Sequence, residues 1–421
     1  VDSFVWEYGS LLLRWLHIIA AMAWIGSSFF FMHLDASLKR TPDIPAGEGA
    51  AAWQVHGGGF YEMRKFFVAP SHMSPDLTWH KWQAYTTWLS GFVLLAWVYY
   101  AQSKLYLVDP AVLDLSPASA IGLGVGALAV GWAIYDGICR SPLGRNEGTL
   151  AAIGLVVITA AAYGFTQVFS GRGALIHTGA LMATWMAGNV FLIIIPNQRK
   201  VVASLMKGEK PDPALGKQAK QRSMQNNYLT LPVVLLMISN HYPMLFDGRA
   251  TIPLVVALIT ASGAVIRYFY NVRHADHDRS PWWAWGAAAA GLAAAFAVAL
   301  TGSAGGRSLL GLPARAEVSP TVVTASAAPT PTKVSALSAP PEHVVELVMG
   351  RCAMCHAAEP AFDGIRIAPK GVLLDSEGAI ARQAQAIRHQ AVLTHSMPPN
   401  NVSEMTLDER AQIAAWLENG R

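Results

Sequence analysis

Charge is what this sequence has least of. Only 14% of its 421 residues are Asp, Glu, Lys or Arg, against 53% apolar, where a soluble domain carries roughly a quarter charged. That balance excludes an ordinary soluble globule and predicts a membrane protein. Cysteine is almost absent too: beyond Cys352 and Cys355 there is only Cys139, so no second thiol pair exists to complete a zinc site. The Gly57-Gly58-Gly59 run lacks the Lys-Ser/Thr ending of a phosphate loop and reads instead as a turn or a close backbone approach. No His-Pro-Glu stretch is present, which argues against a haem-copper terminal oxidase. The opening "VDSFVWEYGS" has no basic start or small-residue cleavage site, so the first apolar run is expected to stay as a helix.

What is present is a series of apolar runs, each near the 17–25 residues that cross a bilayer. They lie at 11–34, 82–102, 118–139, 150–170, 174–195, 228–245, 252–272 and 282–301. The sixth is the weakest, since it holds Pro232, Asn240 and His241. The loops after the odd-numbered runs are basic, with Arg64, Lys65, Arg140, Arg145, Arg199 through Arg222, Arg273 and Arg279, whereas those after runs two, four and six hold only Lys104, Arg172 and Arg249. Because Lys and Arg accumulate on the cytoplasmic side, eight spans place both termini outside the cytoplasm. The expected fold is all-α: an eight-helix transmembrane bundle over residues 1–301, a Pro/Ser/Thr/Ala linker over 302–341 that cannot bury a core, and a small helical domain over 342–421.

That last domain carries Cys352-Ala353-Met354-Cys355-His356. Two thiols three positions apart reach both vinyl groups of a haem, and the next imidazole faces the iron. A sixth ligand is expected from Met397 in "HSMPPNN", with His389 and His395 as competitors. Thr406 and Glu409 form a capping-box pattern, and Ile413, Trp416 and Leu417 an apolar face, as in the closing helix of a class I cytochrome c.

Ionisable residues at membrane depth suggest function. Counted from the span ends, His17, His177 and His241 share one outer level. One reading gives His17 and His177 to a b-type haem; the other leaves each hydrogen-bonded within the bundle. A second group lies on the cytoplasmic side: His33, Asp35, His72 and His80 as candidate catalytic residues, with Asn189 nearby and Arg267 and Tyr268 divided between substrate contact and interface anchoring.

The pattern "LLLRWLHIIAAMAWIGSSFFFMHLD", the loop "HGGGFYEMRKF" and the terminal CxxCH together resemble the bacterial membrane-bound urate oxidases with a fused cytochrome c domain. The resemblance implies hydroxylation of urate to 5-hydroxyisourate, with electrons leaving through haem c rather than to dioxygen and then to a soluble cytochrome c or terminal oxidase. It also implies a multi-pass protein of the bacterial inner membrane with its cytochrome domain in the periplasm. No nucleic-acid partner is expected. The alternative is a quinol-linked electron-transfer subunit, a cytochrome b with a tethered cytochrome c.

Overall fold

The computed structural model describes residues 2–45, 47–66, 74, 76–276, 278–313, 339–363, 365 and 368–419. The chain is mostly helical. In order, α1 is Asp2–Ser37, a hairpin of β1 (Gly49–His56) and β2 (Gly59–Phe66) follows, and α2 is Trp82–Leu95, continued by a π-helical turn at Ala96–Tyr100. Then come α3 (Ser103–Tyr106), α4 (Pro117–Arg140), α5 (Glu147–Thr166) and α6 (Gly171–Gly188), which runs through a second π-helical turn at Asn189–Ile194 into α7 (Ile195–Met206). The membrane part closes with α8 (Pro213–Ile238), α9 (Ile252–Ala275), α10 (Trp283–Gly302) and the short α11 (Ala304–Leu309).

Local chemistry sets several of these starts. Ser116, Asn146, Ser170 and Asp212 each accept a backbone N–H two or three residues ahead, and Pro117 and Pro213 occupy the first helical position, where the missing N–H costs nothing. Among the described residues six helices are long and apolar enough to cross a membrane: 5–37, 117–140, 147–166, 171–206, 249–275 and 283–302. The other two expected spans, around α2 and α8, are helical but not among these six. Exposed Leu11, Trp15, Ile18 and Met22 line α1, an apolar surface suited to lipid rather than water. At the centre is α6, with His177, Thr178, Met182 and Trp185 essentially sealed from solvent. Around it pack α4, α5 and α8; α9 packs on α8 and α5, and α10 on α9.

The all-α expectation needs correction. Residues 49–66 form an antiparallel hairpin with His56 opposite Gly59, turning through Gly57 (φ 58°) and Gly58 (φ 79°). Two consecutive left-handed residues are what a tight two-residue hairpin demands and what glycine permits.

Beyond residue 338, α12 (Glu342–His356), α13 (Glu377–Arg382), α14 (Ala384–Ile387) and α15 (Leu407–Asn419) surround a separate core of Val344, Val348, Ile380, Met405, Ile413, Trp416 and Leu417. The expected capping box is formed reciprocally: Glu409 N–H donates to Thr406 Oγ1 at 3.2 Å, and Thr406 N–H to Glu409 Oε2 at 2.7 Å. Arg351 on the CxxCH helix reaches the same carboxylate from Nε (3.0 Å) and NH2 (2.8 Å), tying α12 to α15. Burial works to raise the Glu409 pKa, but the Arg351 and Thr406 hydrogen bonds outweigh it and hold the carboxyl below its usual range.

Candidate functional sites at the two ends of the bundle

The tail domain presents a donor set that fits a covalent haem. Cys352, Cys355 and His356 close α12, and His356 Nδ1–H donates to the Val372 carbonyl at 2.9 Å. A carbonyl can only accept, so this bond fixes the tautomer and leaves Nε2 as the basic nitrogen, the usual arrangement behind a metal-bound imidazole. Arg410, buried beneath the Met397 loop, donates to the carbonyls of Ala391 and Met397 and to Asn401 Oδ1. The same guanidinium acts on the Cys352 thiol, whose pKa burial pushes up to about 12 while Arg410 pulls it down. Arg410 therefore ties the Met397 segment to Ala391 and Asn401.

This loop sits on the membrane part. Asn400 Nδ2 donates to the carbonyls of Leu105 (2.8 Å) and Val108 (3.0 Å). From there a hydrogen-bonded run leads inward. Ser170 N–H donates to the Leu107 carbonyl (3.0 Å) and its hydroxyl to the Tyr106 carbonyl (2.8 Å); Gly173 N–H donates to Ser170 Oγ (3.0 Å). His177 Nδ1–H donates to the Gly173 carbonyl (2.9 Å), so Nε2 accepts from Tyr100 OH at 3.1 Å. Phe165 and Phe169 flank the ring, and a Cβ on Gly124 would lie 2.7 Å from Nε2.

The expectation of one shared histidine level is corrected here. His17 Nδ1–H donates to the Thr87 carbonyl at 3.0 Å, next to Ser90 Oγ at 3.1 Å, with Gly91 against the ring. His177 meets the same helical stretch at Tyr100, nine residues past Gly91 and roughly 13 Å along a helix axis. Antiparallel packing agrees: Trp97 stacks on Trp6 and donates to Ser10, well outside the level of His17. A bis-histidine haem requires two imidazoles facing one iron. These two do not face each other, and His177 Nε2 already holds Tyr100, so the pair does not fit a b-type haem.

At the opposite end, the four candidate catalytic residues divide. Asp35 is paired with Lys65 at 2.7 Å and clasps the hairpin to α1. His80 is exposed, its ring 4.9 Å from Phe31; His72 lies outside the described residues. His33 is different. Its ring packs edge-on against His274 at 4.4 Å, and its shielded Nδ1 has no hydrogen-bond partner among the described residues.

One turn earlier on α1, Phe29 lies under the Arg267 guanidinium, 3.9 Å from its carbon to the ring centre. Arg267 Nε donates to Asn227 Oδ1 at 2.7 Å, and Asn227 Nδ2 to Asn271 Oδ1 at 3.0 Å. A second buried arginine, Arg222, bonds Asp136 Oδ1 (2.6 Å) and Asn189 Oδ1 (3.1 Å), while Asn189 also donates to Tyr135 OH and Asn226. Sequence reasoning missed Phe29, Asn227, Asn271, His274 and the Asp136–Arg222 pair; the "QNN" of "QNNYLTLP" was the available signal.

The urate oxidase N-terminal family matches residues 3–299. The chain belongs to that family. No curated protein and no solved structure matches it. The matched stretch takes in both clusters of the bundle, whereas Cys352, His356 and Met397 lie beyond it, so the family speaks to urate and to oxidoreductase chemistry, and the haem reading rests on the tail's own residues.

Proposed function

We propose that this protein hydroxylates urate to 5-hydroxyisourate and passes the electrons to a haem c on residues 342–421. The family match over 3–299 carries the substrate. Urate and water give 5-hydroxyisourate, two protons and two electrons. A haem held by Cys352, Cys355, His356 and Met397 supplies a one-electron acceptor, so each urate requires two successive transfers. The Asn400 contacts support delivery within one chain, since they seat the Met397 loop on the bundle. The basic loops support eight spans with the tail in the periplasm, from which a soluble cytochrome c or terminal oxidase takes the electrons.

The test is anaerobic. Purified holoprotein mixed with urate and no other subunit should show reduction of the c-type spectrum together with formation of 5-hydroxyisourate. Absence of reduction, in protein whose haem ascorbate still reduces, would overturn the reading. The electron-transfer-subunit alternative needs a b-type haem, which His17 and His177 do not fit.

A further inference from the structure

We infer that Arg267, stacked on Phe29 and oriented by Asn227, is the binding site for a planar organic anion, which on the function proposed above is urate. The bundle's two buried arginines differ in what answers their charge. Each is almost sealed, Arg222 at 2% exposure and Arg267 at 5%, and a buried cation is retained only when something answers its charge. Asp136 answers Arg222. Among the described residues no carboxylate lies within ion-pair distance of Arg267, and only its Nε is hydrogen-bonded. The two terminal NH2 groups remain, side by side in the plane of the guanidinium.

That geometry specifies the ligand class. A guanidinium fork matches two acceptors in its own plane, and a heterocyclic anion with adjacent carbonyl and ring-nitrogen acceptors offers such an edge. Phe29 covers one face of the fork, and the Tyr270 ring lies 5.9 Å from the guanidinium carbon. His33 follows Phe29 by one turn of α1, about 6 Å of rise, and His274 follows Tyr270 by one turn of α9. The buried Nδ1 of His33, which has no hydrogen-bond partner among the described residues, is a second polar group one turn from Phe29. Asn227 has no freedom to turn away, since its amide spans Arg267 and Asn271. A carboxylate built into the protein at this point would defeat the purpose: it would neutralise Arg267 permanently and repel the anion.

The experiment uses holoprotein and urate itself. Equilibrium binding of radiolabelled urate, and the rise in Tm that saturating urate produces, are measured for wild type, Arg267→Lys, Arg267→Gln and Phe29→Leu. Removing a buried unpaired cation should leave folding intact or improve it; the c-type spectrum and ascorbate reduction, which do not pass through Arg267, report this. Arg267→Gln should bind urate roughly ten- to a hundredfold more weakly and lose the urate-dependent Tm rise. Arg267→Lys should fall between, because it keeps the charge and loses the fork, and Phe29→Leu should weaken binding several-fold. Wild-type urate affinity in Arg267→Gln would overturn the site while leaving the proposed reaction standing. Should Arg267→Gln fail to assemble, wild-type affinity in both Arg267→Lys and Phe29→Leu would overturn it equally. No urate binding to wild type at all would overturn the reaction and, with it, the ligand.

Discussion

Replacing Asn400 by glycine isolates the contact that joins the two parts of the chain. Asn400 has a positive φ of 50°, a conformation that Asn adopts at modest cost and Gly at none. The substitution therefore leaves the loop unstrained and removes only the two side-chain hydrogen bonds to Leu105 and Val108. Such bonds contribute about 0.5–1.5 kcal/mol each after exchange with water, so docking should weaken by roughly 1–3 kcal/mol. That corresponds to a shift of about 5- to 150-fold in the ratio of docked to undocked tail. Two assays read it. Amide exchange over residues 103–108 should accelerate as the seat is uncovered, and single-turnover reduction of the c-type haem by urate should slow, while reduction by ascorbate from solvent is unchanged. Asn400→Asp should be worse than glycine, because a carboxylate facing two carbonyls repels them. Wild-type exchange and wild-type urate-driven reduction in Asn400→Gly would refute the reasoning, showing that Asn400 contributes nothing to delivery.

Asp136→Asn should destabilise the bundle by about 3–5 kcal/mol, since it strands Arg222 as an uncompensated buried charge; thermal unfolding measures this, and the double variant with Arg222→Gln should recover much of the loss. Glu409, whose pKa is depressed in the fold, contributes stability above its unfolded pKa that disappears as pH falls through its folded value. Glu409→Gln should accordingly flatten the acid limb of the tail domain's unfolding curve, by no more than about 1 kcal/mol for so open a pair. A pyridine haemochrome measurement should find one c-type haem per chain and no b-type haem, and His17→Ala should leave that count unchanged.

Much was legible where the physics is local. The capping box at Thr406 and Glu409 depends on residues three apart, the Gly57-Gly58 turn on backbone conformation alone, and the apolar spans on composition summed over one helix. The flanking strands of the turn were missed because "GAAAWQVH" alternates too weakly to announce a buried face. The histidine levels failed for a different reason. Depth was counted from the ends of apolar runs, yet α1 has 36 residues and is about 54 Å long, far more than a hydrocarbon core of about 30 Å. Its end is therefore no marker of membrane level, and only the partners of His17 on α2 fix where it sits.

The start of α8 shows most clearly what hydropathy averages away. Residues 213–227 read as a basic loop because Arg222, Gln225, Asn226 and Asn227 are polar, but all four are buried. Three of them find partners on other helices, Arg222 on Asp136, Asn226 on Asn189, and Asn227 on Arg267 and Asn271, as the neighbouring Gln221 does on the carbonyls of Cys139 and Gly144. A satisfied polar face costs little to bury, whereas an unsatisfied one costs several kcal/mol, so the side of the helix that faces the bundle is decided by pairing rather than by apolar count. The same accounting separates structure from function along α8 and α9. Where a carboxylate answers the charge, as Asp136 does at Arg222, the group holds helices together; where none does among the described residues, as at Arg267, the two free terminal NH2 groups point to a ligand that supplies the missing charge.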